Sequence, residues 1–184
     1  MTLRVMLLAT GGALDGADAV FGGEGGVGGR EEVAVRGVAG RVARAGTTYT
    51  GPSKRCRETA DVLGRTAAVE DALGDWDMGR WRGRTLADVA AGEPDAVAAW
   101  LGDPAAVPHG GESLLALCER VGGWLDGLAH AGRVLAVAEP AVVRAAVVHA
   151  LRLPPPVFWR LDVRPLAVTE LSGRSGRWNL RLGA

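Results

Sequence analysis

The chain has 184 residues, of which 48% are hydrophobic and 23% charged, the balance of a soluble globular protein with enough length to build one core without metal or disulfide support. Twenty-one basic residues stand against 21 acidic ones, so the net charge is zero and the electrostatic footprint for nucleic acid or an anionic membrane is missing. Two cysteines, Cys56 and Cys118, are too few for a disulfide framework and form no CxxC pair; reduced thiols in a cytoplasmic protein are expected.

The opening segment, Met1 to Leu8, has the look of a signal-peptide start, but its apolar run stops at Thr10-Gly11-Gly12 and no small-residue cleavage site comes after it. A buried first strand over Leu3 to Ala9 is the better reading, apolar on both faces apart from Arg4. No run approaches the ~20 apolar residues of a membrane span. A glycine-rich loop from Gly11 to Gly29 precedes a helix over Glu31 to Ala45, where Val33, Val35, Val38 and Val42 recur at mostly helical spacing. Thr47 to Thr50 reads as a short strand ending at Gly51-Pro52, and Ser53 as the N-cap of a helix to Gly64.

A short strand near Ala67 to Val69 leads into an irregular stretch from Asp71 to Gly83. Thr85 to Ala91 and Pro94 to Leu101 predict short helices, and Glu112 to His130 a long one. At its start, Glu112 and Ser113 suit a helix N-terminus as carboxylate and hydroxyl cap. Arg133 to Ala138 is a second strongly apolar strand, with a helix after it from Pro140 to Leu151. Leu166 to Leu171 and Arg177 to Leu182 alternate as a hairpin across Gly173-Arg174-Ser175-Gly176. Strands alternating with helices predict a three-layer α/β/α domain with a mostly parallel central sheet, spanning residues 1–184 as one unit. Leu3–Ala9 and Arg133–Ala138 should be its central neighbours.

Gly23-Glu24-Gly25-Gly26-Val27-Gly28 spells GxGxxG but begins too far from the first strand, and no acidic residue stands where the ribose would need one. His109, His130 and His149 are scattered and unpaired with cysteine, so no metal site and no cofactor is expected. His149 reads as a partly buried, satisfied helix residue. The tryptophans read as packing residues. More telling are the residues just past the end of each strand: Thr10, then Gly51 to Arg55, then Asp75, then Glu139. Ligands bind outside the carboxyl ends of such strands.

Leu8-Ala9-Thr10-Gly11, Gly51-Pro52-Ser53-Lys54-Arg55 through Ala60, Leu73 to Gly83, Pro108-His109-Gly110-Gly111-Glu112-Ser113, and Val134 to Pro140 with Arg144 beyond occur together and in order. On these motifs the chain resembles the histidine phosphatase (phosphoglycerate mutase-like) superfamily over nearly its whole length. The resemblance implies a histidine acceptor after the first strand, where this chain has Thr10, preceded by a phosphate-clamping arginine, where it has Ala9. It implies a second histidine where Glu139 stands, and a glutamate acid where the shorter Asp75 stands. Of that constellation Arg55 clearly survives, and the resemblance places Trp76 and Trp81 beside the pocket as candidate walls.

A threonine hydroxyl is a poor nucleophile without an adjacent base, and phosphoryl transfer depends on positive charge around the transferring group. The expectation is therefore a member of this superfamily without both catalytic histidines: a pseudophosphatase, or a binder of a small, phosphorylated or otherwise anionic metabolite. Thr10, Asp75 and Glu139 hold the catalytic places, and Ala9, Gly11, Arg55, Trp76 and His109 are ligand-binding candidates. Two alternatives stand beside this reading. One is an active phosphomonoesterase or mutase using Thr10 with Glu139 or Asp75 as base; the other is acid–base chemistry on a non-phosphorylated metabolite. Arg55 is expected to pair with Glu139 or Asp75 in the resting protein. Arg144 could neutralise Glu139 or serve an ordinary salt bridge. No nucleic acid or membrane partner is expected.

Overall fold

The computed structural model describes residues 2–11, 20–23, 25–43, 45–128 and 132–182. His130, Glu24 and residues 12–19 of the glycine-rich loop lie outside them. In chain order the elements are β1 (Leu3–Ala9), α1 (Gly29–Val42), β2 (Thr47–Thr50), α2 (Lys54–Val62), β3 (Ala68–Val69), α3 (Leu86–Gly92) and α4 (Pro94–Gly102). They continue with α5 (Leu114–Gly127), β4 (Arg133–Ala138), α6 (Pro140–Ala150), β5 (Val168–Arg174) and β6 (Arg177–Arg181). Three 3-10 turns, at Asp71–Leu73, Gly79–Trp81 and Pro155–Arg160, punctuate the loops.

The described strands form a six-stranded sheet in the order β3-β2-β4-β1-β5-β6. β1 and β4 are parallel neighbours at its centre, in register from Arg4↔Arg133 to Ala9↔Ala138. β4 pairs β2 and β2 pairs β3, also in parallel, whereas β5 and β6 form an antiparallel edge on β1. The sheet is mixed, as the crossovers and the terminal hairpin in the sequence imply.

Strand alternation separates two cores. Val5, Leu7, Ala136 and Ala138 point to the side covered by α5 and α6, through Leu117, Val121, Val142 and Ala146. Met6, Leu8, Leu135 and Val137 point to the other side and meet Val42 of α1 with Cys56 and Ala60 of α2. Each face of β1 and β4 is therefore buried, which is why both read as near-continuous apolar runs.

Helix starts obey local chemistry. Ser53, Thr85 and Ser113 each accept a hydrogen bond from the backbone N–H three residues on, and Pro140 occupies the first turn of α6. α1 begins two residues before the expected Glu31 and ends three before Ala45. α5 begins at Leu114 and not at Glu112, because Ser113 caps it. The last hairpin starts at Val168 and not Leu166, since Leu166 takes a left-handed φ of 58° that a strand cannot continue through. Its turn is Ser175-Gly176, with Gly176 at φ 71°.

One carboxylate ties three of these elements together. Asp126 of α5 accepts from Trp178 Nε1 at 2.8 Å and the Gly176 N–H at 3.0 Å, and its other oxygen meets His149 Nε2 of α6 at 2.9 Å. His149 is thus the satisfied, partly buried histidine that its helix position implies. An ideal Cβ on Gly122 would stand 2.1 Å from His149 Nδ1, so the ring depends on a glycine beneath it. Asp126→Ala strands an indole N–H and a backbone N–H, and we expect a loss of about 2–3 kcal/mol in urea unfolding, with Asp126→Asn losing less. Unchanged stability in the alanine variant would show that the hairpin is held by β1 alone.

Candidate functional site

The register of the central strands builds the site. Because Ala9 pairs with Ala138, the next residues, Thr10 and Glu139, leave the sheet side by side, and the Thr10 N–H donates to Ala138 O at 2.9 Å. β2 ends on the other flank of β4, where the Gly51 N–H donates to Val137 O at 2.9 Å and the chain turns through Pro52 to Ser53. Thr10 Oγ1 donates to Glu139 Oε2, and Ser53 Oγ donates to Glu139 Oε1 at 2.9 Å. Ser53 Oγ also accepts the Cys56 N–H at 3.1 Å, so one hydroxyl caps α2 and holds Glu139. The Cys56 thiol lies 3.8 Å from Glu139 Oε1, and burial, then the Glu139 charge, push its pKa up, keeping it a neutral thiol.

Asp75 comes from the loop beyond β3. Its Oδ1 accepts the Trp76 N–H at 2.8 Å, and its pKa is raised to about 6, first by burial and then by the Glu139 charge. Arg82 and Arg120 oppose that shift from a distance. The loop itself is braced by Arg120 of α5, which donates to Ala72 O at 2.9 Å and Gly74 O at 3.0 Å while gripping the Glu112 carboxylate at 2.7–2.8 Å. Trp76 Nε1 donates to Glu112 O at 2.7 Å. Glu112 therefore serves as the partner of Arg120, a more specific job than favouring a helix N-terminus.

Thr10, Gly11, Arg55, Asp75, Trp76, Glu139 and Arg144 line one cavity of about 440 Å³, together with Phe21, Met78, Trp100, Phe158 and Trp159. Ala9 does not line it: fully buried, its N–H and C=O are engaged by the 166–167 turn at 3.0 and 3.1 Å. His109 does not line it either. Only 1% exposed, its Nδ1 accepts the Gly111 N–H at 3.0 Å and its ring lies 5.1 Å from that of Trp81. Burial lowers its pKa and so favours the neutral ring.

The glycines around His109 have a packing reason. An ideal Cβ on Gly79, at φ 47°, would stand 2.2 Å from His109 O, and one on Gly111 would stand 2.1 Å from Asp77 O. The two loops touch backbone to backbone. Trp81, a wall candidate from sequence, is instead fully buried and stacks on Phe21 at 5.8 Å.

The expected pairing of Arg55 with Glu139 or Asp75 is not what forms. Arg55 Nε lies 3.9 Å from Glu31 Oε1 of α1, and among the described residues no Arg or Lys nitrogen comes within 4.0 Å of either carboxylate. The reason is local: neutral hydroxyls already occupy both oxygens of Glu139, and the Arg55 guanidinium packs against Gly25, whose ideal Cβ would be 2.5 Å away. Arg144 does not neutralise Glu139 either; its guanidinium carbon stands 5.7 Å above the Phe158 ring.

Sequence reasoning missed Ser53 as a partner of Glu139, Arg120 as the brace, and most of the aromatic wall. Only Ser53 carried a signal, since it lies two residues past the glycine that ends β2. Among the described residues no three His, Cys, Asp or Glu side chains gather as they would around a metal ion, and no helix is long and apolar enough to cross a membrane.

A sheet of this order with a polar cluster at the carboxyl ends of β1, β2 and β4 is the architecture of phosphoglycerate mutase-like proteins. The chain matches the histidine phosphatase superfamily (branch 1) over residues 29–183, and it belongs to that family. It is 30% identical over 148 residues to the Mycobacterium tuberculosis protein named bifunctional protein Rv2228c, covering 74% of this chain but 41% of that one. It spans about two fifths of the length of the curated relatives it matches.

Among solved structures it superposes on the mycobacterial glucosyl-3-phosphoglycerate phosphatase Rv2419c in complex with VO3 with a TM-score of 0.84 at 24% identity, covering 97% of this chain and 96% of that one. For phosphoserine phosphatase from Entamoeba histolytica in complex with 3-phosphoglyceric acid the values are 0.84 and 15%, with 97% and 94% coverage. For alpha-ribazole phosphatase from Shigella flexneri they are 0.82 and 18%, with the same coverage. At these identities the likeness is one of fold.

The raised pKa of Asp75 makes a stability prediction. Between pH 4 and 6 the folded protein holds a proton that an ordinary aspartate, near 3.8, has released. Stability therefore falls as pH rises through that window, and the loss is complete above it. Asp75→Asn should be more stable than the parent by about 3 kcal/mol at pH 8, with the gain nearly gone at pH 4. Equal differences at both pH values would contradict the assignment.

Proposed function

We infer that this chain is a histidine phosphatase superfamily member that has left the phosphohistidine mechanism and uses its cavity to bind a small metabolite. The observation that carries this reading is the Thr10–Glu139–Ser53 cluster at the ends of β1, β4 and β2. By the family resemblance, Thr10 and Glu139 stand where the family's phosphoryl-accepting and phosphoryl-stabilising histidines would be. Neither residue can form a phosphohistidine. Glu139 also brings a fixed negative charge to the place where a phosphate would sit. At 4 Å and an effective dielectric of 20, each like-charge pair costs about 4 kcal/mol.

The solved relatives include phosphatases for glucosyl-3-phosphoglycerate and alpha-ribazole phosphate. This chain shares their fold. The protein acts as a single domain over residues 1–184, and its two free, buried cysteines suit a reducing, cytoplasmic setting.

A second reading is favoured by one observation, the Asp75 carboxyl with its pKa near 6 lining the same cavity as Glu139 and Thr10. Such a group can give or take a proton near neutrality, as general acid–base chemistry on a non-phosphorylated metabolite requires.

The test is hydrolysis of labelled p-nitrophenyl phosphate together with capture of labelled phosphate on the protein after an alkaline denaturing quench, with acid lability checked afterwards. We expect no acid-labile phosphoprotein and turnover below about 0.001 per second, against 1 per second or more for ordinary enzymes. Turnover at enzymatic rates, or captured phosphate, would overturn the reading. An activity on any other substrate that is lost in Asp75→Asn and has a pH limb near 6 would favour the second.

A further inference from the structure

Both phenylalanines of the chain and three of its six tryptophans line the same cavity. They form a continuous wall: Trp100 and Trp159 have ring centroids 4.7 Å apart, Trp76 lies 5.4 Å from Trp100 and 5.7 Å from Trp159, and Phe158 closes the group at 5.1 Å from Trp159. Phe21 adds an edge at 5.7 Å from Trp100. This concentrates the aromatic content of a 184-residue chain around a hole large enough for a small organic molecule.

The charge facing that wall is unbalanced at the sheet end. Glu139 has hydrogen-bond donors on both oxygens, but Thr10 and Ser53 are neutral and cancel none of its charge. Asp75 receives one backbone N–H. Among the described residues neither carboxylate has a cationic nitrogen within 4.0 Å. Of the two arginines that line the cavity, Arg55 stands 3.9 Å from Glu31 Oε1 and Arg144 lies over the Phe158 ring, each with a buried Nε that has no hydrogen-bond partner among the described residues. The Arg144 contact shows an aromatic face of this wall already holding a guanidinium.

We propose that the cavity binds a small organic cation, an amine or quaternary ammonium on an apolar body, with its charge between Asp75 and Glu139 and its body against Trp76, Trp159 and Phe158. An aromatic wall attracts cations through its negative ring faces, and the attraction strengthens when water is excluded. The two carboxylates add Coulombic attraction at the same spot and repel an anion. The proposal rests on the ligand-binding reading above and gives that ligand a charge.

Binding of a permanent cation is coupled to the ionisation of Asp75. The groups that face Asp75 are Glu139, which holds its proton on, and Arg82 and Arg120, which favour its release; Arg55 and Arg144 share the cavity. The cation's affinity should therefore rise about tenfold from pH 5 to pH 7.5 as Asp75 ionises.

Three probes that share a benzyl group separate charge from shape: benzyltrimethylammonium, benzyl alcohol and benzyl phosphate, each titrated by tryptophan fluorescence and calorimetry. We expect the cation to bind with Kd of about 1 mM or tighter, at least tenfold tighter than the alcohol, with the phosphate weakest. Asp75→Asn should weaken the cation about tenfold and leave the alcohol unchanged. Glu139→Gln, checked for folding by circular dichroism, should act in the same direction. Tightest binding of benzyl phosphate, equal binding of cation and alcohol, no binding of the cation, or no effect of either substitution would each overturn the proposal. The ligand-binding reading itself fails by a different signal, release of phosphate from p-nitrophenyl phosphate.

Discussion

The parallel pairing of β4 with β1 on one side and β2 on the other is the constraint on which the site depends. Ala9 and Ala138 are partners in the ladder, so the residues after them emerge at the same level. The Gly51 N–H bonds to Val137 O and delivers Ser53 to the opposite flank of Glu139. Three residues far apart in sequence thus share one hydrogen-bond cluster without any specialised loop. A one-residue slip would send each side chain of β1 to the other face, from one buried core into another of different shape. The tight packing of both cores therefore fixes the chemistry at the strand ends as firmly as it fixes the sheet.

What the sheet brings together is electrostatically uneasy. Two carboxylates share an apolar surround, and the fold satisfies their hydrogen bonds without neutralising their charge. Part of the tension is absorbed by Asp75, whose pKa of about 6 lets it hold a proton in mildly acid conditions. Part is absorbed by bracing. Arg120 carries four polar contacts at 3.0 Å or less, two to the Glu112 carboxylate and two to the backbone of the loop that carries Asp75. Charges held against their preference in this way are common at functional sites and uncommon elsewhere.

The scaffold is legible in the sequence where local and tertiary demands agree. β1, β2 and β4 are bounded by apolar or β-branched runs with turn residues at their ends, and the caps of α2 and α5 are readable from serine alone. The identity of Thr10, Asp75 and Glu139 as strand-end residues comes from the same logic. Less legible is anything assembled from distant segments. Phe21, Trp100, Phe158 and Trp159 come from a loop, a helix and a 3-10 turn, and each in isolation is an ordinary core residue; only their shared cavity makes them a wall. The Arg55 pairing is misjudged from sequence because charge complementarity points to the nearest strand-end acids, whereas α1 supplies Glu31 from outside the motif. His109 is misjudged for the opposite reason: a motif position suggests a ligand contact, but the close approach of Gly79 and Gly111 folds its ring under Trp81.

The central claim is that Glu139, hydrogen-bonded by Thr10 and Ser53, has converted an anion-binding strand-end cluster into one that excludes anions. Titration of orthovanadate into the wild-type protein and into Glu139→Gln, monitored by tryptophan fluorescence, addresses it directly, since Trp76 lines the same cavity as Glu139. The account predicts negligible binding to wild type and at least tenfold tighter binding once the fixed charge is removed, the equivalent of about 1.4 kcal/mol or more. Tight vanadate binding by the wild-type protein, unchanged or weakened in Glu139→Gln, would contradict it.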